Sequence, residues 1–469
     1  MKRPIVEKLR QVAAAGRVRF HMPGHKGRNA FLPESVLTYD VTELPGTDNL
    51  YMPSGVIEES QKLNAPAMDA GACFYLVNGS SIGVQASLLA AAEPGEKVLF
   101  ARDFHLSAVN GIALAGIKPV FVYPSSRNNY LPSVVTAADF KRAIEENEDA
   151  KAIYLTYPNY YGLCPDLNAI AAMSHRMGMT VIVDAAHAAA FSYSEMLPIS
   201  PGAAGADIWT MSLHKTLSAP NQCAVLCTGE QSLVGQEAAK RAINMLQTTS
   251  PSYLLLASMD YALAQMRETG ADLLREAVFI IEEFILRIQK LGGYKCVTAD
   301  IPSGTGAVDR DITKLVIDVT DRGMTGFMAE QKLNRRGIFI EGADHHNIIL
   351  MCSHANTRRD FEQLAEALHE ISGTNYSISA GEDAMHFKNR AQSTTSVRSV
   401  MLRGAVGLPM TQAVGHMAAC PVGTYPPGVP LILPGQVIEW EDVEHLAALQ
   451  NLGYTLFGTE GYTLEVSDR

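Results

Sequence analysis

Between residues 72 and 230 short β-rich runs alternate with helical patterns, and this alternation limits the chain to a narrow set of folds. CFYLV (73–77) reads as a strand and SSIGVQASLLAAA (80–92) as a helix closed by Pro94-Gly95. KVLFA (97–101) is a strand, SAVNGIALAG a helix ending at Gly116, and KPVFVYP the next strand. Thr136 is placed to cap AADFKRAIEEN, with Asp139 in its first turn, and AIYLTYP follows as a strand. Asp166 caps LNAIAAMSHRM, Gly178 ends it, and the strand MTVIVD (179–184) closes on an aspartate. ADIWTMS then runs into His214-Lys215. Strands separated by helices predict βαβ units and a largely parallel sheet. Ligands of such sheets sit at the carboxyl ends of the strands, so Gly79-Ser80, His105, Asp184 and Lys215 are expected along one edge.

Downstream, residues 232–292 read as helical, including GADLLREAVFIIEEFILRIQKLGG with apolar residues at three-to-four spacing. A second α/β unit is expected over 312–372: KLVIDV as strand, TGFMAEQKLNRRG as helix, IFIEG and IILMCSH as strands, and TRRDFEQLAEALHEIS as helix. The polar stretch 373–396 reads as a linker, TYPPGVPLILPGQVI (424–438) is rich in Pro and Gly, and one more amphipathic helix follows. The expected division is an N-terminal arm (1–55), a large cofactor-binding domain (56–295), a small α/β domain (296–372), and a linker with a C-terminal domain (373–469).

Composition removes several classes of function. At 469 residues and 47% hydrophobic content the chain can bury a large core. The net charge of −11 and the absence of a Lys/Arg-rich run argue against nucleic acid as a partner. No window approaches the ~20 uncharged apolar residues of a spanning helix, and MKRPIVEKLRQVAAAGRVRF lacks a signal-peptide core, so no membrane is expected. The seven cysteines (73, 164, 223, 227, 296, 352, 420) are scattered, odd in number and without CxxC. That pattern predicts reduced thiols in a cytoplasm and no metal site.

The residues at the expected strand ends share one chemistry. Lys215 directly follows an apolar strand, where desolvation favours a neutral amine that attacks carbonyls. Asp184 closes VIVD; it reads either as a cap of the following turn or as the carboxylate that pairs with a protonated pyridine nitrogen. NGSSIG (78–83) lies between strand and helix and reads either as a capped turn or as a phosphate cradle of backbone N–H groups and the Ser80 and Ser81 hydroxyls. Ser212 and His214 could add phosphate donors, and His105 could stack on an aromatic ring or cap the helix that starts near Ser107.

With these residues in view, the chain resembles the prokaryotic ornithine/lysine/arginine decarboxylases, fold-type I pyridoxal-phosphate enzymes, in a short form without an N-terminal wing domain. HMPGHKG (21–27), DVTELPGTDNLYMPSGVI (40–57), FYLVNGSSIGVQA (74–86), TYPNYYGLCPDLNAIA (156–171), VDAAHAAAF (183–191), SLHKTL (212–217), LQTTSPSYLLLASMD (246–260) and TYPPGVPLILPGQVI (424–438) carry the resemblance. It implies an aspartate-aminotransferase-like large domain with a mostly parallel, seven-stranded type of sheet, and smaller α/β C-terminal domains. It further implies pyridoxal 5'-phosphate bound through Lys215, Asp184 on the pyridine nitrogen, and His105 stacked on the ring. Ser80, Ser81, Ser212 and His214 are implied at the phosphate, with Thr248 or Thr249 of a partner subunit, and Ala186 and His187 beside the ring. The chain departs from the family pattern at NGSSIG, where NGSTSG is usual, at DAAHAAAF in place of DEAHGAHF, and at SVRSVMLRG in place of SPREAFFA. These departures leave the cofactor residues intact and bear on how a basic side chain would be recognised.

The reaction so implied is α-decarboxylation of a basic amino acid, arginine or lysine before ornithine. Asp184 would keep the pyridine nitrogen protonated as the electron pair enters the ring, and Lys215 or His214 would return a proton to Cα. Glu341, Asp344 and Asp48 are the candidates for the distal cation, and Arg398 is a further substrate candidate. The same cofactor on this fold also serves aminotransfer, aldol cleavage and C–S lysis, and a catalytically silent homologue is the third alternative. A homodimer or higher homo-oligomer is expected from the fold type.

Overall fold

The computed structural model describes residues 2–15, 18–28, 31–126, 128, 130–371 and 395–467. The expected linker at 373–396 lies outside the described residues except for Thr395 and Ser396. The chain forms two compact units: Met1–Ala90 with Ile182–Arg275, and Ala91–Val181 with Glu276–Arg469.

Seven strands make the major sheet: β1 (Ala72–Leu76), β2 (Lys97–Ala101), β3 (Lys118–Val122), β4 (Ala152–Thr156), β6 (Thr180–Asp184), β7 (Ile208–Ser212) and β8 (Ala224–Thr228). The two-residue β5 (Leu163–Cys164) lies outside it. Within the first unit the order is β1-β8-β7-β6, with β6 and β7 parallel and β8 antiparallel to both neighbours. Every residue of β6, β7 and β8 is buried, as expected of strands covered on both faces, whose apolar runs are continuous rather than alternating. Within the second unit β4, β2 and β3 are parallel neighbours.

Local signals account for the helices between these strands. Thr136 and Asp139 form the capping box of helix Ala137–Glu146, and the Asp166 side chain caps helix Leu167–Arg176. The helical region expected at 232–292 is two helices, Gln236–Leu246 and Tyr253–Leu291, parted at the segment containing Pro251.

The second unit also holds smaller sheets. Strands β9 (Lys295–Cys296), β11 (Lys314–Asp318), β12 (Gly342–Ala343) and β13 (Asn347–Met351) form one, while β10 (Asp309–Arg310) pairs with β5. IFIEG does not form the strand expected of it: only Gly342 of that run pairs, and Phe339 is 82% exposed. β14 (Ala405–Pro409), β15 (Val422–Thr424), β16 (Val429–Ile432), β17 (Leu456–Phe457), β18 (Thr459–Glu460) and β19 (Thr463–Ser467) make two three-stranded sheets. These and helix Trp440–Leu452 enclose a core that includes Val422, Ile432, Leu446 and Leu464. All seven cysteines are free, and no helix among the described residues is long and apolar enough to cross a membrane.

Candidate active site

In the first unit the residues at the carboxyl ends of β1, β6 and β7 converge, and a glycine makes the convergence possible. Gly83, in the first turn of helix Ser80–Ala91, lies so close to β7 that an added Cβ would come within 1.8 Å of Thr210 Oγ1. This close approach seats the helix N-terminus beside the end of β7, where Ser212 Oγ donates to Ser80 Oγ at 2.7 Å. Two hydroxyls at a helix N-terminus, where backbone N–H groups have no helical acceptor, form a donor set suited to an anion. Ser81 is exposed in the same turn. The loop before it is held from both sides: the Gly79 amide donates to the Gln222 carbonyl at 3.0 Å, and Gln222 is itself left-handed at φ 76°.

Gln247 supports the end of β1 as a missing strand neighbour would. Its Oε1 accepts from the Val77 amide at 3.0 Å, and its Nε2 donates to the Tyr75 carbonyl at 3.3 Å. Sequence reasoning gave Gln247 no role, although it opens the QTTSPS stretch. Thr248 and Thr249 follow it and are exposed; the Thr248 amide donates to Asn78 Oδ1 at 3.4 Å.

Asp184 ends β6 and is 4% exposed. Its Oδ1 accepts from the Ala186 amide at 3.2 Å, and the Ala186 carbonyl in turn accepts from the Ser212 amide at 3.2 Å, tying the ends of β6 and β7 together. The turn carries His187, 6% exposed, whose Nε2 lies 3.0 Å from Lys215 Nζ. One proton therefore joins the two nitrogens. His214, on the other side of Lys215, faces away into the backbone, with Nδ1 3.0 Å from the Cys223 carbonyl. A carbonyl only accepts, so Nδ1 carries the proton and Nε2 of the neutral ring is an acceptor. Burial lowers the His214 pKa; the bond to Cys223 opposes this, and the Lys215 charge lowers it further. The ring so biased toward neutrality is held at Nδ1 by the Cys223 carbonyl.

Asp48 is engaged by nearby backbone amides. Its Oδ1 accepts from the amides of Asn49 and Ser54, and its Oδ2 from those of Gly55, Ile57 and Glu58, so it satisfies first-turn amides of helix Val56–Asn64, whose N-cap residue is Gly55. Burial works to raise its pKa, but the amide bonds outweigh it and hold the carboxyl low.

The remaining candidates belong to the second unit. His105 caps helix Leu106–Ala115: its Nδ1 accepts from the Ser107 amide at 3.2 Å and lies 2.9 Å from Ser107 Oγ. An acceptor at Nδ1 puts the proton of the neutral ring on Nε2. Arg398 is placed at the opposite end of that helix, donating to the carbonyls of Ala113 and Leu114 at 3.5 and 3.2 Å. There it satisfies last-turn acceptors and complements the helix dipole, a structural position about 15 Å along the helix from His105. Asp344 is buried; its Oδ2 accepts from Tyr161 Oη at 3.0 Å, and its Oδ1 accepts from the amides of His346 and Asn347. Burial raises its pKa against those bonds. Glu341 is the exposed carboxylate of the pair, and among the described residues it accepts a long 3.4 Å bond from Tyr160 Oη.

Comparison with known proteins follows the same lines. A profile described as Orn/Lys/Arg decarboxylase, major domain, matches residues 3–310, and one for the C-terminal domain of that family matches 382–463. The chain is 30% identical to an arginine decarboxylase of Bacillus subtilis strain 168 over 99% of its own length and 96% of the relative's. Its fold superposes on lysine decarboxylase A from Pseudomonas aeruginosa with a TM-score of 0.85, at 18% identity, covering 99% of this chain and 80% of that one. An alanine–glyoxylate aminotransferase from Nostoc sp. matches 67% of this chain and 85% of its own at a TM-score of 0.53 and 14% identity. At such identities the structural likeness carries the fold alone, and that fold is the fold-type I architecture of pyridoxal-phosphate enzymes.

Proposed function

The chain belongs to the Orn/Lys/Arg decarboxylase family, whose members are pyridoxal-phosphate-dependent amino-acid decarboxylases, and we propose that it removes the α-carboxylate of arginine or lysine. The observation that carries this reading is the part-buried pair of Lys215 Nζ and His187 Nε2, 3.0 Å apart, on the same turn-linked strand ends as Asp184.

The residues fit the cofactor by the chemistry of their donors. Lys215 supplies the amine for its aldehyde, and the buried Asp184 a carboxylate for a protonated ring nitrogen. Ser80 and Ser212 supply hydroxyls for its phosphate at a helix N-terminus. Pyridoxal phosphate, when bound, supplies an electron sink for the pair left on Cα as carbon dioxide departs. Asp184, its Oδ1 fixed by the Ala186 amide, would face the ring nitrogen and hold a proton on it. Lys215 would hold the cofactor through its amine, and its Nζ, 3.0 Å from His187 Nε2, would share with that ring a proton for return to Cα. Ala185 and Ala186, both buried, bring no acid of their own to that turn.

His105 is the proposed residue for the face of the cofactor ring, and Ser81, His214, Thr248 and Thr249 remain proposed around its phosphate. Glu341 is the proposed partner of the distal cation. Being exposed and only weakly bonded, it can exchange water for a guanidinium or ammonium group at less cost than the buried, fully bonded Asp344. The protein is proposed to act as a homodimer or higher homo-oligomer in the cytoplasm. The test is release of carbon dioxide and of agmatine or cadaverine from arginine or lysine by the purified, cofactor-loaded protein. An oxo acid or aldehyde product would replace decarboxylation with another reaction of the same fold.

A further inference from the structure

Within the second unit the C-terminal segment TYPPGVPLIL is fastened along the chain around His105. Arg102 Nη2 donates to the Leu431 carbonyl at 3.0 Å, and the Leu106 amide donates to the Gly428 carbonyl at 3.0 Å. Gly428 itself is left-handed at φ +80°, its amide donating to the Thr424 carbonyl at 3.0 Å. A Cβ added at Gly428 would lie 3.2 Å from both Cδ2 and Nε2 of His105. The other edge of the imidazole is held by Ser107, whose amide is 3.2 Å and whose hydroxyl is 2.9 Å from Nδ1. The ring is therefore clasped at both edges, one by its own helix and one by backbone from a segment more than three hundred residues away.

We propose that Gly428 is a positioning residue for His105: the bare backbone of the C-terminal segment is the stop that sets the plane of the imidazole. A side chain at 428 would require a strained backbone and would also push the ring by a few tenths of an ångström. Stacking depends on the ring plane, and a misplacement of about 1 Å can cost on the order of 10²-fold in rate. The consequence for catalysis rests on the proposed role of His105 at the cofactor; the seating of the ring does not.

Strain and contact are separable with a second glycine. Gly415 has nearly the same backbone, φ +83°, but an added Cβ there meets nothing within 4 Å. The experiment compares Gly428→Ala with Gly415→Ala in the full-length protein, alone and with His105→Ala. It reads three signals: the His105 ring resonances in histidine-labelled protein, the absorption spectrum and retention of pyridoxal phosphate, and turnover. The expected result is that Gly428→Ala shifts the His105 resonances, alters the cofactor spectrum and lowers turnover at least tenfold beyond Gly415→Ala. Combined with His105→Ala, it should add no more than Gly415→Ala does. Unchanged His105 resonances in Gly428→Ala would overturn the proposal. So would shifted resonances with a wild-type spectrum and turnover, or full additivity with His105→Ala. A wild-type protein that retains no pyridoxal phosphate would instead remove the proposed function, and the resonances would still decide whether Gly428 seats the ring.

Discussion

Lys215 Nζ and His187 Nε2 lie 3.0 Å apart, with His187 6% exposed on the turn that follows Asp184. A proton shared by the two nitrogens is placed for transfer to a group brought against the pair. Replacing His187 with Phe keeps the bulk of the ring and removes the proton partner. The account expects His187→Phe to retain pyridoxal phosphate by absorption while kcat falls about 10²-fold or more, the usual span of a lost acid–base group. Loss of cofactor in parallel with rate would make His187 a binding residue only.

Gly83→Ala tests the seat of the phosphate hydroxyls. With Thr210 Oγ1 at 1.8 Å from the new methyl, the helix must shift away from β7, and overpacking of this kind costs about 1–3 kcal/mol. The same shift separates Ser80 from Ser212. Urea unfolding should show the destabilisation, and titration with pyridoxal phosphate should show weaker binding. A variant with wild-type cofactor affinity would show that the Ser80–Ser212 contact does not serve the phosphate.

Asp48 and Glu341 should separate cleanly. Asp48→Ala strips the acceptor from five backbone amides and should cost ~0.5–2 kcal/mol or more, as loss of a helix cap does, with KM unchanged. Glu341→Gln should leave the unfolding midpoint near that of the wild type and raise KM for arginine and lysine. Steady-state kinetics alongside thermal melts decide both.

His214 sets a pH dependence of stability. Its folded pKa lies below the ordinary value of 6.5, with burial the leading cause, so the unfolded chain binds the proton more readily than the folded one. Its contribution is thus full above the unfolded pKa and is lost as pH falls toward the folded value. Between pH 7 and pH 5 the wild type should lose more stability than His214→Gln, measured as the shift of the urea midpoint. Equal losses would mean that the imidazole is not held neutral by its surroundings.

Much of this was legible in the sequence because the signals are local. The Thr136–Asp139 capping box, the Gly116 helix stop and the continuous apolar runs of β6 and β7 each act within a few residues, and each sits where the residues predict it. The pairing of Lys215 with His187 was not legible, since it depends on β6 and β7 being neighbours. The partner of Arg398 was not legible because it is a helix end nearly three hundred residues away, whereas those of Asp48 lie within ten residues but depend on how its loop turns back. IFIEG has strand composition, but its exposed Phe339 finds no sheet to pack on, and composition cannot supply one. Gly428 lies in a run rich in Pro and Gly, and nothing local to that run shows that His105 lies beside it.

The central claim is that Lys215 is the amine that holds pyridoxal phosphate in an enzyme that decarboxylates basic amino acids. The most direct measurement follows carbon dioxide released from arginine, lysine and ornithine by the wild type and by Lys215→Ala, with the absorption spectrum of each recorded beforehand. The account predicts a visible Schiff-base band and carbon dioxide from arginine or lysine in the wild type, and neither in Lys215→Ala. A wild-type protein without the band after addition of pyridoxal phosphate, or a Lys215→Ala protein that keeps both band and turnover, would contradict it.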